Sequence, residues 1–528
     1  MINWLRKFII IRLVSRFKIP RDVFRFAWKR YANRTALISP TGHKLTYTQL
    51  SLLGLKLAAA WTSAGLKKGD VCYEQLVNGT DLIIANLAAM ETGIILLGIP
   101  PYAGEEILAQ AMQLTEPASL LYDAAFEESA AILMKLSPNT IQIRFDKIPE
   151  PTQPLKYSKT EIFPEDTAVV GFTSGTTGVP KALSALHGAF LTSLKLIIKN
   201  VDLKPQSTPD IVLVGMPIAG AGGSLVMPTL LRGGAILIPS EISADEFLRL
   251  IPLHKVTQIF MTPSLLIDLL DHPKIDYVDV SSLSNIIYGS ELLPAAKLEE
   301  ALRRFGPILQ QGYGSSEVLP PVSMLQPHQH MRGNQIAPRS VLSSVGRVVP
   351  QVKVIIADED DQPLTQGQIG NILINSPTQF KGYLNQTELN AKILRGGWLH
   401  IGDVGYFDTD GLLHVLGRKP DIINRNGHIT YPRNIEEVVH DHPAVKEATF
   451  VQVGHKALMV VSLRHAWRTR LHDVLLEQEL KDFLSLHVPP LDMPDGIAIL
   501  EELPRSPMTK VLRREVRQLF TNKISETT

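Results

Sequence analysis

Residues 171–182 read GFTSGTTGVPKA, in which a short apolar strand runs into a polar loop that ends in proline and lysine. Hydroxyl groups in such a loop donate hydrogen bonds, and glycines let backbone amides approach an anion without a Cβ in the way. The lysine adds positive charge. The residues predicted to hold phosphate are Thr173, Ser174, Gly175, Thr176, Thr177, Gly178 and Lys181.

The spacing of this loop differs from that of a Walker loop. In a Walker loop lysine directly follows the last glycine, whereas Val179 and Pro180 intervene here. This disfavours an ordinary kinase or GTPase. A polar surface turn is the alternative interpretation, because clusters of serine, threonine and glycine usually form turns.

Length and composition limit the class of protein. A chain of 528 residues is too long for one hydrophobic core and predicts at least two domains. The net charge of +1 provides no electrostatic footprint for nucleic acid, so we expect no such partner. Cys72 is the only cysteine, which excludes an intrachain disulfide and a cysteine-based zinc site and fits a cytoplasmic location.

The N-terminal segment 4–19, WLRKFIIIRLVSRFKI, mixes bulky apolar residues with five basic ones. Its uninterrupted apolar run, 8–11, is too short for the core of a signal peptide. We expect a helix that packs on the protein's own surface, and weak peripheral contact with a membrane is the alternative. No other stretch approaches the length that spans a bilayer.

Apolar strand-like runs alternate with helical patterns along most of the chain, which indicates an α/β fold. The predicted strands include 168–172, 211–214, 235–238, 258–261 and 285–288. The segment 294–305 predicts a helix that Pro294 opens. Its apolar face is formed by Leu298, Ala301 and Leu302, and its predicted solvent side by Lys297, Glu299, Glu300, Arg303 and Arg304.

Between residues 345 and 374 the sequence pattern changes and predicts short strands separated by turns. The acidic run DEDDQP at 358–363 predicts a hairpin tip, since it lacks the alternating ligands and the distal glutamate of a calcium loop. His328 and His330 are interpreted as loop residues rather than as a metal-binding pair.

A second informative block, QQGYGSSE, occupies 310–317. Gly312 and Gly314 flank Tyr313 and let its ring face a base, while Glu317 offers a hard oxygen ligand for Mg²⁺. A buried core tyrosine and a solvated glutamate are the alternatives. A third block, GGWLHIGDVGYFD at 396–408, contains Asp403, which can accept two hydrogen bonds from a ribose diol.

Two more blocks follow, GRKPDIINRNGHITYP at 417–432 and LPRSPMTKVLRR at 503–514. Together with the first three they resemble, in order, the motifs of the adenylate-forming superfamily of acyl- and aryl-CoA ligases, luciferases and peptide-synthetase adenylation domains. The resemblance covers roughly residues 20 to 515. It implies a large multi-sheet N-terminal domain at 1–417, a hinge at 418–421 and a small mobile α+β lid at 422–528, with the active site between them.

The resemblance also implies residue roles. Lys510 occupies the place of the catalytic lysine, Glu317 that of the Mg²⁺ ligand, and Lys181 joins the phosphate loop in holding the departing pyrophosphate. Arg418 is implied to fix the ribose with Asp403. The adenine is expected against Gly289, Ser290, Gly312, Tyr313, Gly314 and Ser316, and the thiol arm of the acceptor past Gly427.

The reaction expected from the resemblance is ATP-dependent adenylation of a carboxylic acid, followed by acyl transfer to CoA. A carrier protein with a phosphopantetheine arm is the alternative acceptor, and a non-catalytic nucleotide-binding protein is the alternative of another class. PIAGAGG at 217–223 has Ala219 and Gly220 where the family carries a bulky pair. This predicts a wider pocket for a fatty or bulky acid, or else a flexible backbone.

Four further positions depart from the family's motifs. Pro420 stands in the hinge, Thr509 precedes the lysine in place of glycine, Ile401 replaces threonine and Ala182 replaces glycine. Because proline locks φ near −65°, Pro420 is expected to slow the second step or to divert rotation to neighbours such as Asp421.

Overall fold

The computed structural model describes residues 10–99, 105–151, 153–173, 181–201, 209–470, 474–506 and 509–525. The predictions for Ser174, Gly175, Thr176, Thr177 and Gly178 lie outside these residues. Thr173 and Lys181, on either side of that loop, lie within them and pair in a β-ladder.

Helices occur along the whole chain. They are α1 Pro20–Tyr31, α2 Tyr47–Ser63, α3 Thr80–Thr92, α4 Glu105–Thr115, α5 Glu127–Leu136, α6 His187–Asn200, α7 Val226–Leu231, α8 Ala244–His254, α9 Pro263–Leu270, α10 Ala295–Phe305, α11 Arg339–Leu342, α12 Thr387–Ile393, α13 Pro432–Val439, α14 Val474–His487 and α15 Arg513–Ser525.

The strands of the first half of the chain are β1 Thr35–Ile38, β2 Lys44–Thr46, β3 Val71–Gln75, β4 Ile95–Gly98, β5 Ser119–Tyr122, β6 Ile141–Arg144, β7 Thr167–Thr173, β8 Lys181–Leu186, β9 Ile211–Gly215, β10 Ala235–Leu237, β11 Gln258–Met261 and β12 Asn285–Gly289.

The strands that follow are β13 Leu309–Ser315, β14 Val318–Leu325, β15 Met331–Arg332, β16 Gln335–Ile336, β17 Arg347–Val348, β18 Lys353–Ala357, β19 Gly370–Asn375, β20 Gly382–Tyr383, β21 Leu394–Arg395, β22 Trp398–Phe407, β23 Leu413–Arg418, β24 Ile423–Arg425, β25 His428–Thr430, β26 Val445–Val453, β27 Lys456–Leu463 and β28 Gly496–Leu500.

Two large sheets dominate the part of the chain through β23, which we call the large domain. A nine-stranded sheet has the order β17-β14-β13-β12-β11-β9-β10-β1-β2, and a seven-stranded sheet has the order β20-β8-β7-β4-β3-β5-β6. In the first sheet β9 to β13 run parallel, so their carboxyl ends meet at one edge. That edge is where ligands bind in open α/β sheets.

A smaller antiparallel sheet of β18, β19, β21, β22 and β23 completes the large domain. The part from β24 onward, which we call the small domain, pairs β24 with β25 and has a three-stranded sheet of order β26-β27-β28, whose edge strand β26 contacts α13. Its apolar core begins at Ile423 and includes residues of α13 and α14, whereas the largest core cluster of the large domain extends to Val415.

The predicted α/β architecture, with a large multi-sheet N-terminal domain and a small α+β C-terminal domain, is confirmed by these separate sheets and cores. The five predicted strands named above are also confirmed, as β7, β9, β10, β11 and β12. The exact boundaries at 417 and 421 and the mobility of the small domain stay predictions.

The predicted helix at 294–305 is present as α10, with Pro294 at its N-cap. The placement of Lys297 on its solvent side was wrong: Lys297 is 1% exposed, and its ammonium donates to the carbonyl of Val445 at 2.7 Å. Glu300 on the same helix pairs with Arg464. Part of the polar side of α10, at Lys297 and Glu300, therefore contacts the small domain, whereas Arg303 is exposed.

Local contacts explain the acidic run at 358–363 and His330. The acidic run at 358–363 forms a turn between β18 and β19, and Asp358 accepts hydrogen bonds from the backbone N–H groups of Asp360 and Gln362. His330 lies in a short 3₁₀ helix, fully buried, with Nε2 at 3.2 Å from the hydroxyl of Tyr288. Burial lowers the pKa of His330 to about 4, so this imidazole is a neutral core residue.

The described part of the N-terminal segment packs inward, as predicted. Residues 10–14 are helical, and Val14 joins a buried cluster with Leu191, Leu194 and Ile198 of α6. Ile10, Ile11, Leu13 and Phe17 pack against this cluster. Among the residues described, no helix is both long and apolar enough to cross a bilayer.

Candidate active site

The carboxyl end of β13 carries a buried hydrogen bond between two of the predicted site residues. The Tyr313 hydroxyl donates to Asp403 Oδ2 at 2.6 Å, and both side chains are buried. Asp403 Oδ1 lies 3.4 Å from Arg418 Nε at the end of β23. Asp403 and Arg418 are ladder partners of β22 and β23, so sheet register brings two blocks of the sequence together, and the Tyr313 hydrogen bond adds a third block from another sheet.

Glycine is required at Gly289 because β12 and β13 approach closely there. Gly289 pairs with Gly312, and a Cβ at Gly289 would lie 2.5 Å from the carbonyl oxygen of Gly312. Among the described residues, no heavy atom would lie within 4 Å of a Cβ at Gly312. The neighbouring Ser290 is exposed and has φ 73°. Open space therefore adjoins Gly312.

A turn between β13 and β14 holds Glu317. The Tyr383 hydroxyl donates to Glu317 Oε1 at 2.8 Å, and the ammonium of Lys181 lies 5.6 Å from the centre of the Tyr383 ring. Lys181 begins β8, directly after the predicted phosphate loop. Tyr383 thus lies between Glu317, the predicted Mg²⁺ ligand, and Lys181. Ser316, in the same turn, is exposed.

Lys510 lies in a tight turn that docks on the large domain. Thr509 has φ 63°, a conformation that favours glycine, which is the residue the family motif has there. Its hydroxyl lies 2.7 Å from the hydroxyl of Thr262, the N-cap of α9. The N–H of Ser506 donates to the Lys510 carbonyl at 2.7 Å. A contact between domains thus supports the strained Thr509 backbone.

Burial shifts the pKa values of the central groups. Burial raises the pKa of Asp403, and the charge of Glu317 adds to this, while Arg418 and the Tyr313 hydroxyl oppose it. Burial lowers the pKa of Lys510, with a further contribution from Arg418, and the charge of Glu291 opposes this shift. An anionic ligand beside Lys510 would favour its protonated form.

The predicted hinge is anchored on both sides of Pro420. Arg418 and Lys419 pair with Asp403 and with Glu359 of the large domain. Asp421 pairs instead with Arg517 of α15, at 2.6 Å. Pro420 itself lies in a 3₁₀ turn. It is therefore the residue between an anchor on the large domain and an anchor on the small domain.

Other predicted positions lie away from this cluster or have local explanations. Gly427 lies with Asn426 at the exposed tip of the β24–β25 hairpin, and both have positive φ, as a two-residue turn requires. In the segment 217–223, Ala219 and Gly220 are exposed. A Cβ at Gly222 would lie 2.3 Å from the carbonyl oxygen of Met216, so close backbone packing explains that glycine.

Three residues near the site were missed from the sequence. Tyr383 lies in a two-residue strand far along the chain, and nothing in its neighbourhood indicates its contact with Glu317. Ser315 lies within the block 310–317, and Glu291 directly follows the predicted residues Gly289 and Ser290, but the family motifs assign roles to their neighbours. The Ser315 hydroxyl is buried and has no hydrogen-bond partner among the described residues.

The residues fit a nucleotide with Mg²⁺. The orphaned Ser315 hydroxyl and the open space beside Gly312 leave room and a donor for a polar ligand. Glu317 is one half-buried carboxylate, which suits a cation that commonly takes one or two carboxylates together with substrate phosphates. Arg418 and Lys510 supply positive charge at the same place.

Comparison with protein families matches most of the chain. A model described as AMP-binding enzyme matches residues 24–384, and a model described as AMP-binding enzyme C-terminal domain matches residues 434–510. The two matches fall on the large and the small domain.

Characterised proteins are similar over much of this length. The chain is 30% identical over 376 residues to the medium/long-chain-fatty-acid–CoA ligase FadD8 of Mycobacterium tuberculosis, which covers 70% of this chain and 64% of that protein. It is 29% identical over 535 residues to a long-chain-fatty-acid–CoA ligase of Bacillus subtilis, which covers 92% of each. Among solved structures, the amide bond synthetase McbA from Marinactinospora thermotolerans superposes with a TM-score of 0.82 at 28% identity, over 95% of this chain and 99% of that one.

Proposed function

Because the chain belongs to the AMP-binding enzyme family, we propose that it is an ATP-dependent ligase that adenylates a carboxylic acid and transfers the acyl group to CoA. The observation that best supports this is the convergence of separate sequence blocks on Asp403, where Tyr313 and Arg418 meet it, under the docked turn of Lys510. We further propose that it acts in the cytoplasm, in keeping with the single buried thiol of Cys72.

The first step joins two anions. A carboxylate oxygen forms a bond to the α-phosphorus of ATP, and the bond from that phosphorus to pyrophosphate breaks. Two like charges at roughly 4 Å repel by about 4 kcal/mol at an effective dielectric near 20. In our proposal Lys510 offsets this repulsion by bridging the carboxylate and the α-phosphate.

Other groups hold the nucleotide in the proposed complex. The ribose would take the place of the Tyr313 hydroxyl or of the Arg418 contact on Asp403, and Lys181 would follow the departing pyrophosphate with the loop of Ser174, Thr176 and Thr177. Bound Mg²⁺ would neutralise phosphate charge, and Glu317 is the residue that would hold it.

The second step moves the acyl group to sulfur. The thiol sulfur of CoA attacks the acyl carbon, AMP leaves with the former carboxylate oxygen, and the thiol proton passes to solvent. Because Lys510 is no longer needed, the small domain is proposed to rotate about 418–421 and to bring Gly427 to the path of the thiol arm.

The acid is proposed to be a fatty acid or another bulky acid. The fatty-acid–CoA ligases of Mycobacterium tuberculosis and Bacillus subtilis support this class. The wider pocket predicted from Ala219 and Gly220 stays a prediction, because the close approach to Met216 explains Gly222 only. The carrier-protein acceptor remains the second candidate, since it uses the same first step and since Pro420 and the altered segment 217–223 depart from the family's motifs.

A trapping experiment tests the proposed function and separates its alternatives. The protein is incubated with ATP, Mg²⁺ and octanoate, palmitate or 4-coumarate, and hydroxylamine converts any acyl-adenylate into a hydroxamate. CoA or a holo carrier protein is then supplied in place of hydroxylamine. We expect acid-dependent hydroxamate and acyl-CoA. Hydroxamate with acylation of the carrier alone would favour the second acceptor, and no hydroxamate with any acid would favour a non-catalytic nucleotide-binding protein.

Replacing Pro420 by alanine is expected to accelerate the second step several-fold while adenylation is unchanged. The pyrrolidine ring locks φ at the residue between the two hinge anchors, so its removal frees rotation. Single-turnover transfer from preformed acyl-adenylate to CoA measures the effect. Pro363→Ala, in an exposed turn of the large domain, is the control. Equal transfer rates in the Pro420 variant and the wild type would place the pivot elsewhere.

Peripheral membrane contact is proposed to be electrostatic, because the apolar side chains of residues 10–17 are used for packing. Arg12, Arg16 and Lys18 are exposed. Each basic residue near an anionic surface contributes about 1 kcal/mol, which salt screens. We expect weak sedimentation with phosphatidylserine vesicles that Arg12→Glu combined with Arg16→Glu removes. Equal binding to neutral phosphatidylcholine vesicles would contradict this mode of contact.

A further inference from the structure

Glu291 connects the two domains at the base of the Lys510 turn. It lies between β12 and α10, directly after Gly289 and Ser290, and belongs to the large domain. Its Oε1 accepts the backbone N–H of Val511 at 3.0 Å, and its Oε2 accepts the hydroxyl of Ser264 at 3.1 Å. One carboxylate thus holds the residue that follows Lys510 against the first turn of α9.

The surroundings of Glu291 form a docking site that α9 and this loop share. Thr262 contacts Thr509 as described above. Asp268 of α9 pairs with Lys446 at 2.7 Å and with Arg505 at 2.9 Å, and Arg505 also pairs with Glu447. The small domain therefore presents cations to an acidic surface of the large domain, and Glu291 is the member of that surface that holds the residue after Lys510 and whose charge acts on Lys510.

We propose that Glu291 is a positioning residue for adenylation: it seats the Lys510 turn through Val511 and keeps the Lys510 ammonium charged in the closed arrangement of the domains. This inference rests on the proposed function, because it assigns a role to Lys510 in adenylation. It adds a residue to the site and predicts that the two half-reactions depend on it differently.

The charges around the pair support this role. Burial disfavours the charged form of Lys510, and Arg418 adds to that effect, so the negative charge of Glu291 is the compensating interaction. Burial and the charge of Glu447 raise the pKa of Glu291. The N–H of Val511, the charge of Lys510 and the Ser264 hydroxyl act in the opposite direction and favour the ionised carboxylate. Two hydrogen-bond donors and a nearby cation therefore fix the position of the Glu291 carboxylate.

Two variants separate the charge of Glu291 from its contacts. Glu291→Gln keeps an oxygen that can accept from Val511 but removes the charge, and Glu291→Asp keeps the charge but shortens the reach. Asp268→Asn is the matched control, since it loosens the same docking surface without facing Lys510. We expect Glu291→Gln to slow acid-dependent pyrophosphate release at least about tenfold. Transfer from preformed acyl-adenylate to CoA should stay within about twofold in all three variants.

The pH profile of adenylation gives a readout that a purely structural role would not move. The reaction needs protonated Lys510, so its rate falls as pH rises through the pKa of Lys510, which burial lowers below the ordinary lysine value. Removing the charge of Glu291 lowers that pKa further, and the alkaline limb moves to lower pH. Glu291→Gln should show this shift, whereas Glu291→Asp and Asp268→Asn should retain the wild-type limb.

A measurement without catalysis distinguishes failure of this inference from failure of the proposed function. Hydrogen exchange of the Val511 amide should be faster in Glu291→Ala than in the wild type, with global thermal stability as the reference. Unchanged exchange and an unchanged alkaline limb in an active wild-type background would overturn the role of Glu291 alone. Equal losses in both half-reactions would also overturn it. A wild-type protein that releases no pyrophosphate with any acid would instead overturn the proposed function, and the role of Glu291 with it.

Discussion

Lys510→Ala is expected to lower acid-dependent pyrophosphate release by about 100-fold to 1000-fold and to leave thioester formation from synthetic acyl-adenylate unchanged. The Lys510 side chain is proposed to act only while the carboxylate attacks the α-phosphate. The repulsion between these two anions no longer exists once pyrophosphate has left. The docked turn holds Lys510 beside Arg418 and Glu291 in the closed domains. Its loss therefore removes a fixed cation from one half-reaction.

Lys481→Ala is the matched control for this variant, because Lys481 is an exposed lysine on α14 of the same domain. It should retain both half-reactions. Quantitative pyrophosphate release and single-turnover acyl transfer measure the two steps separately. Unchanged pyrophosphate release in Lys510→Ala would contradict the role of this lysine, and an equal loss of both steps would indicate damage to the small domain rather than loss of a catalytic charge.

Gly312→Ala and Gly289→Ala are expected to fail in different ways, although the two glycines are ladder partners. The added methyl group at Gly289 would press on the Gly312 carbonyl at 2.5 Å, so we expect a loss of about 1 to 3 kcal/mol in the free energy of unfolding. A methyl group at Gly312 meets no heavy atom within 4 Å in the part of the chain that the structure describes, and it should change that free energy by less than about 0.5 kcal/mol.

The effect of Gly312→Ala should appear in nucleotide binding instead. The methyl group would stand in the space proposed for ATP beside Tyr313, and we expect the Kd for ATP to rise about tenfold or more. Chemical denaturation and equilibrium binding measure the two quantities. If the Gly312 variant binds ATP like the wild type, the proposed ATP site at the end of β13 is contradicted. If the Gly289 variant has wild-type stability, the close contact with the Gly312 carbonyl is contradicted.

Local sequence patterns were sufficient for the strands and for the type of fold. The apolar run at 259–261 is bounded by the polar residues Gln258 and Thr262 and is buried in β11. Gly289 and Gly312 lie at the ends of adjacent parallel strands. These features depend on short stretches of chain, in which side-chain alternation and glycine placement have direct physical causes.

Contacts between domains could not be predicted in this way. The periodicity of α10 correctly separates an apolar face from a polar one, but it carries no information about which second surface covers the polar face. Lys297 is buried for that reason, against a carbonyl about 150 residues further along the chain. Burial lowers its pKa to about 7, a consequence that only the assembled interface reveals.

The same limit applied to the site. Tyr383 and Glu291 act through partners that are distant in sequence, Glu317 in one case and Val511 in the other. Motif comparison highlighted the residues whose identity is restricted by backbone geometry or ligand chemistry. The contacts of supporting residues such as Tyr383 and Glu291 depend on packing between sheets and domains, so only the folded structure reveals them.

The central claim is that the acid is activated by direct attack on the α-phosphorus of ATP, and its most direct test follows one oxygen atom. An acid that gives hydroxamate in the trapping experiment is labelled with heavy oxygen in its carboxylate and is converted with ATP and CoA, and the AMP produced is analysed by mass spectrometry. We predict that AMP carries one heavy oxygen from the acid. Label in phosphate or pyrophosphate, with none in AMP, would contradict the account.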